Sequence, residues 1–266
     1  MATASAAKKV DYKALGAKHI RKPGDKPKRF LFYSRNKKGK TTLGASAPKT
    51  LVLDPERGAE ELPENVDLWP IDRWEDMNDA FKFLRFGNHD YEWVNVDGLT
   101  RVNNMALRYV MNQQEERDLD RIPGQVQQRD YGKSGELMKG MLFNFHTLPM
   151  GVVYTAQERQ EIAGEFDSED EDSEQAEARF VPDLPKGVRS SVNAIVDCIG
   201  RLYTVKIEHP KTQLMVVQRR LHIGPSEAFD TGIRSKHPMP DMIKNPTVPK
   251  LVALMNNGTP TARKAA

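Results

Sequence analysis

The chain has 266 residues, 38% of them apolar and 29% charged, with a formal net charge of +3 and a single cysteine. That length can bury one sizeable α/β core with an appendage, and one cysteine excludes a disulfide framework and suits a reducing, intracellular compartment. No stretch approaches the ~18 apolar residues of a membrane span, and residues 1–10 lack the apolar run of a secretory signal, so a cytoplasmic protein with no membrane partner is expected.

Residues 1–27 are rich in Ala, Lys and Pro and read as a flexible basic arm. Residues 1–40 hold thirteen Lys or Arg against two Asp, which suits a polyanion partner. Arg29-Phe-Leu-Phe-Tyr33 is a short apolar run and predicts a buried strand. Residues 41–47 are small and helix-compatible, and Pro48 ends them. Thr50-Leu-Val-Leu-Asp54 predicts a second buried strand, and residues 66–71 a short third. Trp74, Met77, Phe81 and Leu84 recur at helical spacing within residues 73–86. Residues 92–97 form the next expected strand, residues 101–116 and 135–148 read as helices, and Gly151-Val-Val-Tyr-Thr155 as a further strand. This alternation predicts an α/β fold, a mostly parallel sheet flanked by helices. Residues 158–178 hold ten Asp or Glu against one Arg. We therefore expect residues 158–188 to form a mobile acidic loop. Cys198, in the apolar run 194–199, is expected to be a buried thiol. Residues 200–208 and 213–221 alternate about His209-Pro-Lys-Thr212 and predict a C-terminal β-hairpin extension. The domain is expected over residues 28–240, with residues 241–266 as a C-terminal tail that carries a short helix near residues 250–255.

Chemistry concentrates in Ser34-Arg35-Asn36-Lys37-Lys38-Gly39-Lys40-Thr41-Thr42. The phosphate-binding pattern G-x-x-x-x-G-K-[ST] needs glycine so that backbone N–H groups can wrap phosphates. It needs a lysine for the β and γ oxygens and a hydroxyl for Mg²⁺. Gly39, Lys40 and Thr41 match, while Ser34 replaces the first glycine. A Lys-rich surface turn is the competing reading, but the preceding strand and the following helix favour phosphate. Asp97 ends its strand where a carboxylate would hold Mg²⁺ and its waters. Leu51-Val-Leu-Asp54-Pro-Glu56 places two acids at the end of the strand after the loop.

With these motifs in order, the chain resembles RecA-like P-loop ATPases, and most closely those encoded by bacteriophages and linked to single-strand annealing and recombination. Pro182-Asp-Leu-Pro-Lys186 and Ile195-Val-Asp-Cys-Ile-Gly-Arg201 add to the likeness. The resemblance implies a RecA-like P-loop NTPase fold and ATP hydrolysis with Mg²⁺, with Lys40 stabilising the transferred charge. It implies Glu56 as the carboxylate that polarises water, with Asp54 in support, and Gln157 or Thr155 as the sensor of the γ-phosphate. Arg234 and Lys236, in Thr231-Gly-Ile-Arg-Ser-Lys236, would act on the site of a neighbouring subunit in a ring or filament. Single-stranded DNA would bind through the basic arm and the loop after Gln157, with a single-strand binding protein as a further partner. Two rivals remain open at this point: a small-molecule phosphotransferase such as a nucleotide kinase, and a nucleotide-dependent interaction protein with little turnover.

Overall fold

The computed structural model describes residues 26–162, 178–209 and 212–258, together with residues 13, 17 and 20. Almost all of the expected basic arm, the centre of the expected acidic loop and the last residues of the tail lie outside them.

Six strands run parallel: β1 (Arg29–Ser34), β2 (Thr50–Asp54), β3 (Asp67–Pro70), β4 (Trp93–Asp97), β5 (Gly151–Ile162) and β7 (Cys198–Glu208). Their order across the sheet is β7-β1-β5-β4-β2-β3. On the β7 side the sheet continues antiparallel through β8 (Met215–His222) and β10 (Met242–Lys244). β6 (Ala178–Pro182) pairs antiparallel with the far half of β5, and β9 (Gly232–Ile233) with the start of β7. The helices are α1 (Lys40–Gly44), α2 (Trp74–Phe86), α3 (Leu99–Arg117), α4 (Gln128–His146), α5 (Lys186–Ile195) and α6 (Val248–Asn257).

Alternation along β1 explains why the sheet must be covered on both faces. Leu31 and Tyr33 enter one core with side chains from α2, α3, α4 and α5, whereas Phe30 and Phe32 enter a second. All four are fully buried, and each contributes roughly 1.5–3 kcal/mol by leaving water. The second core gathers Leu43 after α1 begins, Leu202, Leu221, Cys198, and Val248, Leu251 and Met255 of α6. β1 lies between β5 and β7, while the chain's next strand, β2, sits beyond β5 and β4. The connections on the two sides of β1 therefore diverge at its carboxyl end, where open α/β sheets bind ligands.

Four expectations change. Residues 158–188 are not one loop: β5 runs on to Ile162, β6 returns beside it, and α5 begins at Lys186. The acids at this hairpin are matched by distant arginines, since Arg189 holds Glu161 through both oxygens at 2.8 and 2.9 Å. Residues 241–258 are not a loose tail, because Ile243 and α6 complete the second core and the Thr247 hydroxyl accepts from the Lys250 amide at 3.3 Å. The antiparallel β7–β8 pair is not an appendage either, since β7 is itself a neighbour of β1. At the amino end, α1 stops at Gly44, shorter than the expected 41–47.

Candidate nucleotide site

Residues 34–39 leave the carboxyl end of β1 and turn into α1. Lys37 has φ 58° and Gly39 φ 91°, so the loop carries two left-handed residues. The Gly39 backbone favours glycine, and the end of the Arg219 side chain of β8 lies against it, its Nε 2.6 Å from where a Cβ would stand. Ser34 is buried and its hydroxyl donates to the Arg35 carbonyl at 2.8 Å, a local bond that stiffens the turn where the motif's first glycine is missing. Arg35, Asn36, Lys37 and Thr42 are exposed, and the Lys38 ammonium donates to the Thr204 hydroxyl of β7 at 3.2 Å.

Strand register then assembles the rest. Ser34 pairs with Gln157, and Asp97 pairs with Thr155. Lys40 Nζ donates to the Ser34 carbonyl at 3.1 Å, the Arg35 carbonyl at 3.2 Å and Gln157 Oε1 at 3.1 Å. Burial lowers the lysine's pKa, opposed by the charges of Glu56, Asp97 and Glu158. Asp97 accepts from the Thr41 hydroxyl at 2.6 Å and the Thr155 hydroxyl at 2.8 Å. Its pKa is raised, chiefly by burial; the two hydroxyls lower it, and the nearby Asp54 and Glu56 raise it further. Glu56 is exposed and meets Nε2 of Gln157 at 3.4 Å. Asp54 plays a different part: its carboxylate accepts from the amides of Glu56 (3.2 Å), Gly58 (3.3 Å) and Ala59 (2.9 Å), which shapes the loop that presents Glu56.

Four of the five sequence motifs thus meet at one end of the sheet. The fifth does not join them. Arg234 and Lys236 follow β9 at the opposite end, where the Arg234 amide donates to the Asp197 carbonyl at 2.7 Å and its guanidinium to the Ala194 carbonyl at 3.1 Å. Both side chains are exposed there.

Other residues of the site carry no signal in sequence. Gly98, with φ 123°, leaves room for Glu56, whose Oε1 would lie 3.0 Å from an added Cβ. The Thr100 hydroxyl accepts from the Gln157 amide at 3.1 Å and donates to the Asp183 carbonyl at 2.9 Å, fixing the strand that carries Gln157. Glu158 is 2% exposed and holds Arg201 at 2.5 Å and Arg35 at 3.4 Å. Only its position next to Gln157 hinted at it.

Comparison with known proteins agrees with this geometry. A family profile described as an AAA domain matches residues 26–235. The chain belongs to this AAA-domain family. It is therefore a nucleotide-binding domain of ATPase type, and the matched span holds every residue of the assembled site. No curated protein matches the chain. No helix among the described residues is long and apolar enough to cross a membrane.

The donors at Asp97 fit a magnesium ion. Among the described residues no cluster of three or more His, Cys, Asp or Glu could hold a metal by itself. Mg²⁺ in nucleotide sites takes only one or two protein oxygens and fills its shell with phosphate and water. Thr41 and Asp97 supply that number of oxygens, side by side.

Proposed function

We propose that this AAA domain hydrolyses ATP with Mg²⁺ and does so as an oligomer acting on single-stranded DNA, in annealing, recombination or replication of the bacteriophage type. The observation that carries the ATPase reading is the continuous chain of hydrogen bonds Lys40–Gln157–Glu56, set beside Thr41–Asp97–Thr155.

Lys40 is held by neutral acceptors that a phosphate oxygen outcompetes, because the phosphate adds an opposite charge to the ammonium's hydrogen bond. When ATP enters, the ammonium is free to turn onto the β and γ oxygens. That releases Oε1 of Gln157, so the γ-phosphate is reported to Glu56 through one amide. Thr41 and Asp97 would hold Mg²⁺, which neutralises charge on the β and γ oxygens. Glu56 accepts a proton from, or orients, the attacking water. Its exposed position admits that water.

Support for a DNA partner is electrostatic. Basic side chains crowd residues 1–40, and Arg101 and Arg108 stand exposed on α3 near the Glu56 loop, lining the grooves beside it. Arg234 and Lys236 lie beyond reach of their own phosphate loop, and we assign them to a neighbouring subunit's γ-phosphate. Mixing Lys40→Ala with Lys236→Ala protein should restore part of the activity each lacks alone; a mixture that stays inactive removes the trans role.

The deciding experiment measures ATP turnover with and without single-stranded DNA, using Lys40→Ala as control. Turnover that DNA raises and Lys40→Ala abolishes is the expected result. Turnover indifferent to DNA would favour a phosphotransferase, and binding without turnover an interaction protein.

A further inference from the structure

The guanidinium of Arg219 lies against the backbone of Gly39, yet no phosphate-binding pattern includes it. An added Cβ on Gly39 would sit 2.6 Å from its Nε and 2.8 Å from its Cζ. Arg219 belongs to β8, two strands away from β1, and pairs in register with Thr204 of β7. Thr204 accepts from Lys38 of the same loop at 3.2 Å. The β7–β8 ladder therefore touches the phosphate loop twice, once through each strand. Among the described residues the Arg219 side chain is exposed and has neither ion pair nor hydrogen bond, although acids pair with arginines on the opposite face of the sheet, as Glu158 does with Arg201.

We propose that Arg219 is a nucleotide-binding residue supplied in cis, its guanidinium taking phosphate oxygens of the nucleoside triphosphate that the loop at residues 34–41 holds. The inference rests on the ATP reading of that loop. A guanidinium is always charged and presents a planar fork of donors that matches two phosphate oxygens at once. An arginine kept free of acids, beside the glycine whose backbone must approach phosphate, has that fork unspent. Ser34 makes such help useful: with a side chain where the motif has its first glycine, the backbone there is less free to fold round the phosphates, and a side chain from β8 adds donors. The same contact ties nucleotide occupancy to the β7–β8 ladder, because the loop and the strand would then share one ligand.

Equilibrium binding of a fluorescent, non-hydrolysable ATP analogue to the full chain tests this. Arg219→Ala should weaken binding ~10-fold or more, the loss expected for a charged hydrogen-bonding partner. Arg219→Lys should recover part of the loss, since charge returns without the fork. Competition by ADP should weaken in parallel, while competition by adenosine should not change. Melting temperatures equal to wild type are expected for both variants, because the side chain is exposed. Wild-type affinity in Arg219→Ala, with Lys40→Ala still impaired, overturns the inference and leaves the ATP reading intact. Equal weakening of adenosine and ATP also overturns it, by placing the residue at the base. Failure of the wild-type chain to bind the analogue at all removes the ATP reading itself.

Discussion

Asp97 occupies a place that favours its neutral form, chiefly because it is buried. Its folded pKa is raised, so the native state binds the proton more tightly than the unfolded chain does. A raised pKa therefore contributes stability that is fully present below the unfolded pKa and is lost as pH rises through the folded value. Asp97→Asn removes the charge but keeps an oxygen for one threonine hydroxyl and an amide for the other. We expect its melting temperature to match or exceed wild type by a few degrees, with ATP turnover lost; a lower melting temperature would make the residue structural. Glu56→Gln separates another pair of effects. Its exposed carboxylate touches only Gln157 and the space over Gly98, so nucleotide binding should survive while hydrolysis slows by at least ~100-fold. Equal loss of binding and turnover would contradict the water-orienting role. That Lys40, Thr41 and Asp97 belong to one candidate site was legible because a local tripeptide and a strand end mark them. Gly98 and Arg219 were not, since one exists to give room to a distant loop and the other reaches the site from β8.

Elements are joined at the start of β1 by Arg29. Its guanidinium donates to the carbonyls of Pro27 (2.6 Å), His146 and Leu148 (3.3 Å), while its amide donates to Asp197 at 2.9 Å. One residue thus fastens β1 to the carboxyl end of α4 and to the start of β7, and it is 2% exposed. Arg29→Met should leave those carbonyls unsatisfied and cost about 3 kcal/mol in urea unfolding; a loss under about 1 kcal/mol would mean that water replaces the guanidinium. His146 beside it is lowered to about 4, by burial first and then by the charges of Arg29 and Lys26. A histidine depressed in the fold binds its proton more readily when unfolded, so stability should fall as pH drops from about 6.5 towards 4. His146→Gln should flatten the upper part of that fall, above about pH 5, where carboxylates barely titrate. An unchanged slope there would place the proton uptake elsewhere. Arg29 also shows why the sequence undersold this region: a charged residue at the head of an apolar strand reads as a boundary, whereas it is buried and clamped. β6 was hidden in the same way, because Glu158 pairs with Arg201, and Glu161 with Arg189 as well as its neighbour Arg159, and the two distant arginines lie beyond any local window. Strands with both faces apolar, such as β1 and β2, were legible because parallel sheets bury both faces.

Over the whole molecule, charge is distributed unevenly along the chain, basic over residues 1–40 and acidic over residues 158–178. The order of parallel strands could not be read from the chain, since β1 pairs with β5 and β7 rather than with its successor. The alternation of strand and helix nonetheless announced the sheet. Single-stranded DNA binding, if carried by basic residues spread over 1–40 and α3, should weaken steeply as salt rises through the physiological range. Polarisation of a labelled oligonucleotide would show it, and a flat response would remove DNA from the proposal. One further property follows from Cys198, the chain's sole cysteine, paired with Phe30 of β1 and 1% exposed. Its thiol is pushed far above the usual range by burial and then by the Asp197 charge, so a thiol reagent cannot modify it in the closed sheet. Modification requires the second core that covers it to open, and that core includes Leu43 of α1, the helix that follows the phosphate loop. The protein therefore carries its own chemical clock: labelling should proceed at the frequency of that opening. Saturating nucleotide should slow it in proportion to the stability the ligand adds. A labelling rate unaffected by ATP, in a protein shown to bind ATP, would mean that this core opens without disturbing the loop.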